Sequence, residues 1–405
     1  MIAIVTIGDE VLYGFTPNSN ASFISQFLIL NGLIPRLVTT IGDDRAMMAS
    51  TIQKLLQQGV TVITTGGLGP TCDDFTKSVA ASLFSKKCIH NPECEKELKA
   101  QYGASLPTLI DQSTWPENAR LFSNPNGTAF GFCLEDEKLF GKAKLICLPG
   151  PPLEMRPMLD RYVLPLLPKC AEEIFLQLHL CGIPEHEVDP YLRELQKSYP
   201  SLQFGIYPSY GTLSVHIRAQ KGIKLEAEEA YNKIKQKFST LVFQGDRGGI
   251  EEAVLQLLGD KKLTLSFAES CTGGALSSRI TAIPGASKVF LGSVVSYSNS
   301  VKETLLSVDA ETIEKFGAVS QETTEKMARG CLQKFQSDVA IAVSGIFGPT
   351  GGTKEKPVGT VCYTIVHNKV FHSGTKHFSG ERLTIREKVV QFLLIECYNL
   401  VQGNR

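Results

Sequence analysis

The sequence predicts an α/β protein, with two α/β domains of mostly parallel sheet joined by a small α+β domain. Short β-rich runs alternate with helix-period runs near the N-terminus, the signature of a parallel sheet covered by helices. Between about residues 170 and 246 that rhythm changes, and it resumes at 250. The chain has 405 residues, more than a single core usually supports, so several domains are expected.

The elements follow in order. IAIVTI (2–7) is a strand, NASFISQFLILNG (20–32) a helix, RLVTTI (36–41) a strand, RAMMASTIQKLLQQG (45–59) a helix, and VTVITTGG (60–67) a strand entering a glycine turn. The proline-rich runs LPGPPLEMRPM and VLPLLPK interrupt regular structure and close a first domain at 1–168. In a second domain, 170–246, FLQLHLCGI reads as a strand and EHEVDPYLRELQKS as a helix. QFGIYPS and TLSVHIRAQ then form a hairpin, KLEAEEAYNKIKQKF is a helix, and Asp246–Gly249 is a linker. In the third, 250–405, EEAVLQLLGDKK is helical, and LTLSF, SVVSYS, VAIAVSGI and TVCYTIVHN are strands. A long helix, ERLTIREKVVQFLLIECYNLVQ, ends the chain.

Bulk composition excludes several classes. Apolar residues make up 43% and charged residues 20%, with 41 basic against 41 acidic side chains. No global field draws the chain to nucleic acid or anionic lipid. No apolar run approaches the ~20 residues that span a bilayer, and MIAIVTIGDE lacks the basic and apolar regions of a signal peptide. The 11 cysteines are scattered singly without a CxxC pair, which favours a reducing cytoplasm over a disulfide framework or a thiolate metal site.

IGDEVLYG (7–14), IGDD (41–44) and TTGGLGPTCDD (64–74) each follow an expected strand. Ligands of open α/β sheets bind beyond the carboxyl ends of strands, so these turns share one face. Gly66, Gly67 and Gly69 permit close backbone approach and leave amides for an anion such as phosphate. Asp9, Glu10, Asp44, Asp73 and Asp74 bring carboxylates to the same rim, which suits a metal-bridged phosphate ester. The competing reading makes such aspartates helix caps and turn formers.

AESCTGG (268–274) places Ser270, Cys271 and Thr272 side by side at a strand-to-helix turn, where a side chain can be a nucleophile or simply an N-cap. No histidine follows until His367, so a Ser-His-Asp triad lacks a near imidazole. YSNSVK places Tyr297 at a strand end and Lys302 just inside a helix. A lysine can deprotonate a serine only when neutral, which requires burial; on a helix it is otherwise a solvated charge. GAVSQET (317–323) follows, and then SGIFGPTGGTKEKPVGTV supplies a glycine-rich loop with Gly351, Gly352 and Lys356, a phosphate cradle. Arg382 and Arg386 lie one helical turn apart and are placed for a carboxylate or phosphate.

GDEVLYG, NSNA, GGLGPT-x-DD-x-T, NPNGTAFGF (124–132) and LPGPPLEM (148–155) resemble the N-terminal part of the CinA family, a region similar to the molybdopterin-binding domain of MoaB and MogA proteins. The resemblance implies a nucleotide- or pterin-like ligand and a divalent-metal-dependent ADP-ribose pyrophosphatase. Asp44 and Asp74 match the acids of the molybdopterin-binding proteins, and Glu154 matches the acid of PG-x-P-x-EM. Asp44, Asp73, Asp74 and Glu154 are then the expected metal ligands. Phe130 and Pro151 depart from the family pattern, at loop positions. The middle segment resembles the family's KH-like module but has no GxxG loop, so it is expected to connect or dimerise rather than bind RNA. A homodimer is expected.

AESCTGG, YSN-x-x-K, GAVS, SGI-x-GP-x-GG, KPVGT and R-x-x-x-R resemble the CinA C-terminal domain, a nicotinamide mononucleotide deamidase. The resemblance implies hydrolysis of the substrate amide to nicotinate mononucleotide and ammonia without a cofactor. It makes Ser270 the nucleophile, Lys302 its general base and Tyr297 an assistant. Amides near Thr272 and Gly273 hold the oxyanion, and Arg382, less so Arg386, binds substrate. Phe347 and Thr350 stand where the family has Ala and Asp. That departure keeps open a non-catalytic nucleotide- or molybdopterin-binding regulator with a degenerate deamidase domain, or a protein whose main catalyst is the N-terminal site.

Overall fold

The computed structural model describes residues 1–71, 73–103, 105–168, 173–243 and 249–403. They divide into two compact units, Met1–Phe175 and Leu176–Arg405. Among the described residues no helix is long and apolar enough to cross a membrane.

The first unit is built on six strands: β1 (Ile2–Ile7), β2 (Pro35–Ile41), β3 (Thr61–Thr65), β4 (Arg120–Phe122), β5 (Gly131–Glu135) and β6 (Lys144–Leu148). Their order is β2-β1-β3-β6-β5-β4, parallel across the first four and antiparallel at β5 and β4. Every residue of β1 is buried, as its unbroken apolar run requires of a strand covered on both faces. Its side chains alternate: Ala3, Val5 and Ile7 join one core, Ile2 and Ile4 the other. Helices α1 (Ser19–Leu30), α2 (Arg45–Gln57), α3 (Thr76–Leu83) and α4 (Pro152–Met158) cover the sheet.

The second unit contains two sheets. Strands β7 (Glu173–Cys181), β8 (Gln203–Ser209), β9 (Thr212–Gln220) and β10 (Val242–Phe243) are ordered β8-β9-β7-β10. The hairpin expected from QFGIYPS and TLSVHIRAQ pairs Gln203 with Arg218 through Ser209 with Thr212. Helices α5 (Glu185–Ser198) and α6 (Lys224–Lys237) close that core with Val188, Leu192, Ala227 and Ile234. Apart from Gly249, the linker expected at Asp246–Gly249 lies outside the described residues.

Strands β11 (Leu265–Glu269), β12 (Phe290–Val295), β13 (Val339–Gly345), β14 (Thr360–His367) and β15 (Val370–His377) form the other sheet, ordered β12-β11-β13-β14-β15. The first three are parallel and the last two antiparallel. Helices α7 (Ile250–Asp260), α8 (Ala275–Thr281), α9 (Asn299–Leu306), α10 (Gln321–Phe335) and α11 (Arg382–Gln402) pack around it. The fold is α/β with mostly parallel major sheets, as expected. Two strands are displaced from the sequence reading. LTLSF was expected at 263–267 and β11 runs 265–269; SVVSYS was expected at 293–298 and β12 ends at Val295. Ser270 therefore follows its strand directly, and Tyr297 lies two residues beyond its own.

Candidate active site

The parallel ends of β11, β12 and β13 bring three segments of the second unit together. The amide of Ser270 donates to the Val343 carbonyl (3.0 Å), extending the β11–β13 pairing by one residue before the chain turns. The turn then needs acceptors for the first amides of α8, and Glu269 supplies them. Its fully buried carboxylate accepts from the amides of Gly274 (3.0 Å), Leu276 (3.1 Å) and Ser277 (2.9 Å) and from the hydroxyls of Thr272 (2.8 Å) and Ser277. Neither Ser270 nor Thr272 is the cap, and Ser270 Oγ is left free for chemistry.

Lys302 is only 1% exposed, although it is a lysine near the start of a helix. Its Nζ donates to Ser270 Oγ (3.0 Å), to the Ser296 carbonyl (2.7 Å) and more weakly to the Tyr297 carbonyl (3.4 Å). Burial holds its ammonium below the ordinary lysine range, because desolvation penalises the charged form. A neutral amine hydrogen-bonded to a serine hydroxyl is a base in place. The neighbouring Cys271 thiol is buried, and desolvation raises its pKa far above that of an ordinary thiol. It packs toward Gly345 and is poorly suited to be a thiolate nucleophile.

A pocket of 210 Å³ opens over this dyad, lined also by Tyr297, Asn299, Phe347 and Arg382. No histidine lines it among the described residues. Arg382 Nη2 donates to Tyr297 Oη (2.9 Å) and Nη1 to the Gly348 carbonyl (2.9 Å), fixing both at the pocket mouth. Phe347 is buried in the main core and turns one edge of it toward the site. Asn299 and Ser344, which the sequence reading did not single out, also face this space.

Several expected substrate contacts are placed elsewhere. Lys356 Nζ donates to the carbonyls of Phe316 (2.9 Å) and Val319 (2.7 Å), so it fastens the glycine-rich loop to the GAVS segment instead of reaching for phosphate. Gly351 and Gly352 do not line the pocket; a Cβ on Gly352 would stand 2.7 Å from the Val358 amide, so this glycine serves loop packing. Arg386 pairs with Glu387 (3.3 Å) away from the pocket. The Gly273 amide donates to the Ser270 carbonyl (3.1 Å) within the turn and is not free for an oxyanion, and the Thr272 hydroxyl is held by Glu269. The amides of Cys271 and Thr272 have no backbone acceptor among the described residues.

In the first unit a cleft of 420 Å³ lies beyond the ends of β1 and β3. Gly66 (φ +112°) and Gly67 (φ +66°) line it in backbone conformations that favour glycine, and a Cβ on Gly66 would stand 2.1 Å from the Ile7 carbonyl oxygen. Gly69 lines it too, and the amides of Gly67, Leu68 and Gly69 have no backbone acceptor among the described residues. Glu10, Asp43, Asp73, Asp74 and Glu154 all reach this cleft, and among the described residues no basic side chain does. Burial pushes the Asp43 and Glu154 carboxyls up, against donation from the Asp9 amide and from Asn124 Nδ2 respectively.

Two acids assigned to this cleft are corrected. Asp44 caps α2 through the Met47 amide (2.6 Å), while its neighbour Asp43 faces the cleft. Asp9 is not among the lining residues; it exchanges backbone-to-carboxylate hydrogen bonds with Asp43 (2.9 and 3.2 Å) that lock two turns together. Asp74 accepts from the Thr71 amide (2.9 Å) and hydroxyl. Among the described residues no three acids, thiols or imidazoles converge as a metal cluster, so the expected four-carboxylate ligand set is not assembled.

Comparison with known proteins agrees with both halves. Residues 3–169 match the model of the probable molybdopterin binding domain, and residues 248–400 match the CinA C-terminal domain. A CinA-like protein of Dictyoglomus thermophilum is 37% identical over 393 residues, covering 95% of each chain. Another, from Thermosipho melanesiensis, is 37% identical over 410 residues and covers 98% of each. The crystal structure of a competence or damage-inducible protein from Enterobacter asburiae is 35% identical, covers 38% of this chain and 96% of its own, and has a TM-score of 0.37. With such identity sustained along nearly its whole length, the chain belongs to the CinA family.

Proposed function

We propose that the second unit is an amidohydrolase that converts nicotinamide mononucleotide and water to nicotinate mononucleotide and ammonia. The observation that carries this is the buried Lys302 amine 3.0 Å from Ser270 Oγ. Neutral Lys302 takes the hydroxyl proton as Ser270 Oγ attacks the carboxamide carbon. The tetrahedral oxyanion needs N–H donors at this turn, where the amides of Cys271 and Thr272 have no backbone acceptor among the described residues and lie against the Cys271 sulfur. The C–N bond then breaks, Lys302 returns the proton to the departing nitrogen, and ammonia leaves an ester on Ser270. A water deprotonated by Lys302 hydrolyses that ester, releasing the carboxylate and regenerating the hydroxyl.

The guanidinium of Arg382 at the mouth complements the phosphate of the nucleotide, and the Phe347 ring offers an apolar wall to its pyridine ring. Purified full-length protein supplied with the mononucleotide is expected to release ammonia at a rate unaffected by chelator. Ser270→Ala and Lys302→Met should each lower it by about 10³-fold or more, in line with loss of a nucleophile or its base. An inactive wild type would favour the regulatory reading instead.

A second reading concerns the first unit. An acidic cleft with glycine amides free of backbone acceptors and, among the described residues, no basic side chain suits a phosphate ester that brings its own divalent cation, and ADP-ribose is the substrate proposed. Asp73, Asp74 and Glu154 line the cleft without forming a ligand set of their own, so the ion would arrive with the substrate. Hydrolysis of ADP-ribose that needs added metal and falls in Asp74→Asn tests it.

A further inference from the structure

We infer that Glu269 is a positioning residue for the Ser270–Lys302 pair, an inference that rests on the amidohydrolase reading above. A carboxylate at the last position of a buried strand is costly to desolvate unless its oxygens are fully hydrogen-bonded. Here one oxygen takes three donors and the other two, all from the turn and first residues of α8. Gathering those donors fixes the turn that carries Ser270, whose Oγ accepts from Lys302 Nζ.

The same residue reaches the other half of the pair through its backbone. The Glu269 carbonyl accepts from the Ser296 amide (2.7 Å), and the Ser296 carbonyl accepts from Lys302 Nζ (2.7 Å). One residue thus sets the nucleophile with its side chain and the base with its main chain. Tyr297, Arg382 and Phe347, which form the substrate-facing rim, make no hydrogen bond to it. Loss of the carboxylate should therefore disturb the reacting pair and leave substrate binding in place.

Glu269→Gln keeps the size but turns one acceptor oxygen into a donor amide facing N–H and O–H groups. The expected result is a kcat lower by about 100-fold, the scale of a misplaced reacting group, with KM within threefold of wild type. Glu269→Asp, which retains the charge at shorter reach, should recover part of the loss. Labelling of Ser270 by a fluorophosphonate, followed by mass spectrometry, reads the nucleophile without using the substrate and should slow in parallel with kcat. Should Glu269→Gln not fold, Ser277→Ala removes one donor from the carboxylate and is expected to lower kcat several-fold at unchanged KM. Wild-type kcat and labelling in folded Glu269→Gln, or a change confined to KM, would overturn the inference. A wild type that neither labels at Ser270 nor releases ammonia would instead defeat the amidohydrolase reading.

Discussion

Lys302 is the residue on whose environment the proposed chemistry turns. A lysine in water would be protonated at neutral pH, with a pKa of ~10.4, and useless as a base. Burial lowers that value, so the neutral amine becomes accessible at lower pH. The sign of the pH dependence follows: kcat/KM should rise with pH through a limb whose midpoint lies below the ordinary lysine value. A pH–rate profile checks this, and a limb at or above ~10.4 would count against Lys302 as the base. Cys271 sits beside Ser270 but is held as a buried thiol with a raised pKa, so on the proposed mechanism Cys271→Ala should keep activity within about threefold. Ser270, Tyr297, Lys302 and Arg382, each named from a spaced motif, line one pocket. Motif spacing did not expose Glu269, whose role depends on where a side chain turns after its strand ends. The motif resemblance pointed to Asp44, but its neighbour Asp43 faces the cleft, and only the start of α2 shows which of the two caps it.

At the scale of elements, the site depends on α9 being pressed against its neighbours. Gly330 of α10 touches the end of α9 so closely that a Cβ would stand 1.9 Å from the Leu306 carbonyl oxygen. Gly330→Ala should therefore shift the helix carrying Lys302. It is expected to cost about 1–3 kcal/mol of stability and to lower activity as well, measurable by denaturant unfolding and ammonia release. Several elements were legible: β1, α5, the β8–β9 hairpin and α11 stand within a residue or so of their expected positions. The strand β15 was not, since VFHSGTKH alternates weakly and lies at an exposed sheet edge. Nor were β4 to β6, whose short apolar runs do not by themselves distinguish strand from buried helix. The glycine-rich loop was read as a phosphate cradle from composition. Its lysine instead ties the loop to the GAVS segment, a tertiary choice that composition does not carry.

For the whole molecule, two chemically different clefts belong to two compact units. One is acidic and rimmed by glycine amides; the other holds a buried lysine beside a serine. Lesions should separate accordingly: Asp74→Asn is expected to leave ammonia release unchanged, and Ser270→Ala to leave ADP-ribose hydrolysis unchanged. Paired assays on the full chain measure both. The central claim, that Ser270 is acylated by its substrate, is tested most directly by acid quench of a single turnover followed by peptide mass mapping across residues 265–279. Wild type should carry the nicotinate mononucleotide acyl mass on Ser270, and Ser270→Ala should lack it. The same mass on Cys271, or undiminished amide hydrolysis in Ser270→Ala, would contradict that claim.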